Sequence, residues 1–166
     1  MAADADPAAM AVADPLRLIA LDEEDLAVIS THVQDAIVRV GDLAFRPAEQ
    51  RFALAMNRFD WEGAVASPFR RRFERRRAIL RFERVLAAKT LGIDPKATGA
   101  ALELLAVAFS PEEPPGGAIL LTFAGGAAIR LEVECIEAQL TDLGIAWAAR
   151  VAPEHDLSDT SETGSG

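Results

Sequence analysis

Beyond residue 37 of this chain, apolar side chains recur at every second position, and that period of two restricts the fold more than any other feature. Phe52, Leu54 and Met56 alternate with smaller or polar neighbours, and Ala78, Leu80 and Phe82 alternate with Ile79, Arg81 and Glu83. The same pattern runs through Ile119, Leu121 and Phe123, and through Ile129, Leu131, Val133 and Cys135. Residues two apart share one face of a strand, so each run presents one continuous apolar face. Strands of that kind, joined by short connections, belong to an antiparallel sheet with one buried side.

A period near 3.6 appears once. Leu26, Ile29, Val33 and Ala36 or Ile37 form a single apolar stripe, which predicts a helix over about 23–36. Asp22 is placed to cap its first turn, and Asp25 stands where a capping-box partner belongs. Glu23, Glu24 and Asp25 suit the positive end of the helix dipole. A short strand at 16–21 precedes this helix.

Two hairpins have a register that the apolar pattern decides. Placing Leu43, Phe45, Phe52 and Leu54 on one face pairs 45 with 52 and 43 with 54, around a turn at 47–50 that begins with proline. In the second hairpin, a two-residue Gly125-Gly126 turn would set Leu121 beside Arg130. A three-residue loop at 124–126 pairs 121 with 129 and 119 with 131, so the apolar faces match. That predicts a left-handed glycine and a bulge. A further strand begins near Ala78 and bends near Val85. The nearly continuous apolar run 102–109 reads as a well-buried strand. Residues 136–143 fit a strand with Ile136, Ala138 and Leu140 inward, and also a short helix on Ile136, Leu140 and Leu143; the strand is the favoured reading.

The expected fold class is therefore α+β: a mainly antiparallel barrel or sandwich of about six or seven strands with one N-terminal helix. A pleckstrin-homology-like barrel is one candidate, although its helix normally closes the chain and this one comes early. Residues 1–14 and 153–166 are too poor in apolar side chains to offset ordering entropy and read as tails around a single domain at 15–152. No apolar run approaches the roughly 20 residues that cross a bilayer. Asp4, Asp6 and Asp14 stand where a signal peptide would be basic. One cysteine, Cys135, excludes an intrachain disulfide and fits a reducing compartment. The expected location is the cytoplasm.

The net charge of −9 is unevenly distributed. Residues 70–84 carry eight arginines and two glutamates, a local +6 that leaves −15 on the rest. Clustered guanidinium groups bind phosphates or carboxylates through forked hydrogen bonds. This makes Arg70, Arg71, Arg72, Arg75, Arg76 and Arg77 candidate contacts for an acidic protein or an anionic ligand. The competing reading is a solvated strand face whose arginines pair with the acidic remainder of the same chain. Nucleic acid is disfavoured, because −15 elsewhere repels a polyanion. Asn57, Arg58, Asp60 and Trp61 follow a strand and make a candidate pocket rim. Their alternative is a turn in which Asn57 and Asp60 bond the backbone and Trp61 plugs the sheet end. His32 and His155 are too scattered for metal-ligand spacing, and no metal or cofactor motif is present. No nucleophile elbow or acid/base pair stands out, so no catalytic residue is assigned.

Three segments, LRLIALDEEDL at 16–26, RFALAMNRFDWE at 51–62 and FAGGAAIRLEVECIE at 123–137, resemble a bacterial family of small proteins catalogued only as a domain of unknown function. The resemblance implies a bacterial cytoplasmic protein and assigns no activity, cofactor or site residue. The residues themselves favour a non-enzymatic binding or accessory module acting through the arginine segment. A small-molecule-binding barrel, or an enzyme of unrecognised type, is the alternative. Oligomeric state is not legible.

Overall fold

The computed structural model describes residues 15–59 and 75–145. The tails expected at 1–14 and 153–166, together with His155, Asp60, Trp61, Arg70, Arg71 and Arg72, lie outside the described residues. In chain order the elements are β1 (Arg17–Ala20), α1 (Glu23–Val33), β2 (Ile37–Arg39), β3 (Leu43–Arg46), β4 (Arg51–Phe59) and β5 (Arg75–Phe82). They continue with β6 (Val85–Leu91), β7 (Ala101–Pro111), β8 (Gly117–Phe123), β9 (Ala128–Val133) and β10 (Ala138–Ile145).

The helix forms where its stripe predicts. Asp25 N–H donates to the Asp22 carboxylate at 2.8 Å, and Leu26, Ile29 and Val33 are buried. It ends at Val33, three residues before the expected end. There the chain reverses into β2 through Asp35, which adopts φ 66° and donates its N–H to Leu104 O at 2.7 Å. Aspartate tolerates that left-handed conformation better than most residues. The helix packs mainly on β7, with contacts to β1 and β4.

The strands form one antiparallel sheet in the order β1-β10-β5-β4-β2-β7-β8-β9-β6, with β3 also paired to β4. Side chains from its two halves, Leu54, Leu80 and Phe82 on one and Ile119, Leu121 and Ile129 on the other, share one core with the helix stripe. The sheet is therefore curled but open, with β1 and β6 at its ends. This corrects the expected barrel or sandwich of six or seven strands. The predicted strand near 78–91 is two, because Arg84 takes φ 63° and turns a corner between β5 and β6. The short β2 and β3 are separated by a 3-10 turn at Val40–Asp42. Residues 138–145 are the strand β10. Of the two ends of that order, β1 has only four residues and is followed at once by the helix. The other, β6, carries Lys89 and an irregularity between Val85 and Ala87. Shortness, charge and local twist all discourage pairing with another chain.

Both hairpin registers follow the apolar pattern. Leu43 faces Leu54 and Phe45 faces Phe52. Leu121 faces Ile129 and Ile119 faces Leu131, around a loop in which Gly125 and Gly126 take φ 83° and 89°. A Cβ at either glycine would meet open space. Gly125→Ala should therefore cost only the left-handed backbone penalty, about 1–2 kcal/mol in urea unfolding. A loss close to zero would mean that the turn adopts another conformation.

The run at 102–109 departs from expectation. Only Leu104 and Val107 are buried within β7, while Leu105 is 40% exposed. An antiparallel sheet leaves one face to solvent, and alanines make this stretch read as more apolar than its burial. The register shifts between Leu104 and Ala106, and the Val107 N–H donates to Ser30 Oγ of the helix at 2.9 Å. The helix thus satisfies a strand donor next to the irregularity.

Candidate functional site

The pleat divides the arginine segment between two environments. On β5, Arg76 alternates inward with Ala78, Leu80 and Phe82, and is 5% exposed. Arg75, Arg77 and Arg81 point outward. The Arg75 guanidinium lies 5.7 Å from the centre of the Phe59 ring and donates to the Asp35 carbonyl at 3.2 Å. Arg77 forks between Asn57 Oδ1 and Asp42 Oδ2, each at 3.2 Å. Arg17, at the start of β1, is exposed on the same face, level with Ile79 in the middle of β5.

The interior holds the other half of the arrangement. Arg58 is fully buried on the inward face of β4. Its Nε and Nη2 donate to Asp142 Oδ1 and Oδ2 at 2.9 and 3.0 Å, a two-pronged contact with both side chains fully buried. These residues belong to β4 and β10, which lie on opposite sides of β5. The guanidinium therefore crosses a whole strand, about 10 Å from β4 to β10. It can do so because position 78, opposite Asp142, is alanine. Leu16 N–H also donates to Asp142 Oδ2 at 2.8 Å, so one carboxylate joins β1, β10 and β4. Burying such a pair is tolerated when hydrogen bonds use the remaining lone pairs, as they do here.

Asn57 and Arg58, read from sequence as neighbours on a pocket rim, thus stand on opposite faces of β4. Asp142 was not singled out. Its signal was an acid at an inward position in the alternation Ala138, Leu140, Asp142.

A groove of about 500 Å³ crosses the outward face at its other end. Its floor is Arg51, Arg81, Glu83 and Gln139, and its apolar wall is Ile19 and Leu21, which are 60% and 65% exposed. Arg51 and Arg81 share Glu83, with their Nε atoms 3.0 and 2.9 Å from the same oxygen. Arg81 Nη2 donates to Gln139 at 2.9 Å. Gln50 and Arg84, both left-handed, form the rim, and Val85 N–H donates to Gln50 O at 2.9 Å between their two corners. Arg84 bonds Glu137 at 3.3 Å, and that hydrogen bond, with the charge of Glu137, raises the guanidinium pKa further. Among the described residues no group of three or more His, Cys, Asp or Glu is arranged to hold a metal, and no helix is long and apolar enough to cross a membrane. His32 bonds the Val28 carbonyl within its own helix, and Cys135 is a half-buried free thiol.

These features define an α+β protein whose curled antiparallel sheet has arginines on its outer face and an ion pair locked inside. The family described as "Protein of unknown function (DUF2948)" matches residues 16–155, and the chain belongs to it. No curated protein and no solved structure matches the chain.

Proposed function

We propose that the protein is a non-enzymatic binding module that engages an acidic segment of a partner protein through Arg75 and Arg77. The observation that carries this reading is the charge balance at that end of the outer face. Among the described residues Arg77 pairs with one carboxylate, Asp42, while the other acceptors of Arg75 and Arg77 are an amide and a backbone carbonyl. The sequence adds Arg70, Arg71 and Arg72 just before β5. Forked donors left with neutral acceptors favour an incoming carboxylate. The overall charge of −9 disfavours nucleic acid. A single free thiol supports a reducing location such as the bacterial cytoplasm.

The test uses only outward positions, because alanine at all six arginines would also remove the buried Arg76. Wild type and an Arg75→Ala/Arg77→Ala variant are compared in nuclease-treated pull-downs, across a salt series, after matched folding is checked by circular dichroism. The expected result is a specific partner lost in the variant and weakened by salt. Equal capture by both proteins would make these arginines a solvated face. The groove supports a second reading, small-molecule binding.

A further inference from the structure

The geometry points to the groove between β1 and β4 as a binding site for a small carboxylate with an apolar tail. One donor of its floor has no aligned acceptor. Arg51 and Arg81 converge on a single carboxylate, and the Arg81 Nε, although buried and 2.9 Å from Glu83, has no aligned hydrogen-bond partner. A buried donor without an aligned acceptor costs free energy that a second carboxylate would recover, by drawing one guanidinium into a forked pair of its own. Glu49 holds Arg51 Nη1 at 3.3 Å but is half exposed, so it is a weak competitor. Glu137 is engaged by Arg84.

The apolar half of the ligand follows from the wall. Ile19 and Leu21 are among the most exposed large hydrophobic side chains, and both line this groove. A volume of about 500 Å³ suits a small organic molecule. The corners at Gln50 and Arg84 are tied through the backbone, so that rim is set before anything binds. Preorganisation of this kind lowers the entropy lost on association. The site does not rest on the partner-protein reading, since Arg75 and Arg77 stand at the opposite end of the face.

The experiment titrates the whole 166-residue chain with hexanoate, acetate and hexylammonium, followed by amide chemical shifts. Hexanoate should give saturable shifts at Ile19, Leu21, Arg81 and Gln139, and acetate should bind more weakly. Arg81→Gln should weaken hexanoate about tenfold or more. Arg81→Lys, which keeps the charge without the fork, should fall between. Leu21→Ser should weaken hexanoate and leave acetate unchanged. The Arg75→Ala/Arg77→Ala variant should bind hexanoate like wild type, which separates failure of this site from failure of the protein contact. The proposal is overturned by an absence of saturable shifts at tens of millimolar. Equal binding of hexylammonium, or indifference to both Arg81 substitutions, would also overturn it.

Discussion

Replacing Asp142 with alanine should destabilise the protein by about 3–5 kcal/mol, a large part of the 5–15 kcal/mol typical of a folded domain. The change removes both carboxylate bonds from the buried Arg58 and leaves Leu16 N–H without its side-chain acceptor. It also cuts a link that spans three strands, so β1 should loosen first. The thermal midpoint should fall by roughly 10–15 °C. Asp142→Asn keeps an acceptor and should fall between. The decisive comparison is the double variant Arg58→Met/Asp142→Leu. Replacing both members of a buried pair by apolar groups is often neutral or stabilising, so most of the loss should return. If the double variant is as unstable as the single one, the pair does not set stability here, and the space across Ala78 does.

Gly117→Ala should cost about 3 kcal/mol, at the upper end of overpacking effects. A Cβ built there would run into the Ser110 carbonyl oxygen and lie 2.7 Å from Phe109 Cζ. The phenyl ring can swing away, but the carbonyl cannot without parting β7 from β8. That pair lies within the sheet, with β9 on the other side of β8, so a shift disturbs two ladders. Truncating Phe109 to leucine in the same variant separates the two contacts. Urea unfolding should show little recovery if the carbonyl limits the site. Full recovery would identify the ring instead.

Much of the backbone was legible because alternation carries its own register. The pairs 43–54, 45–52, 119–131 and 121–129 follow from matching apolar faces, since a one-residue slip turns every side chain over. The helix start was equally plain, because its cap is local chemistry. Its end was not. The stop at Val33 depends on β7 accepting a hydrogen bond from Asp35, a residue 69 positions away in sequence from Leu104. Strand count was underestimated for a related reason. The corner at Arg84 is tied down by Gln50, and nothing near residue 84 announces it.

The candidate site divides along the same line. An arginine-rich segment was visible in composition, but 75, 76 and 77 were read as one contact surface. The structure turns Arg76 inward, in phase with Ala78, Leu80 and Phe82. The sequence by itself thus determined an α+β chain of alternating strands, its helix cap, two hairpin registers and a charge segregated into one segment. Only the tertiary structure decided that the sheet stays open, that Arg58 finds Asp142 across an intervening strand, and that Arg51, Arg81, Ile19 and Leu21 meet in one groove. Period and capping are short-range properties of the backbone. Those meetings join residues from different strands, fixed by sheet order, which one-dimensional pattern does not encode.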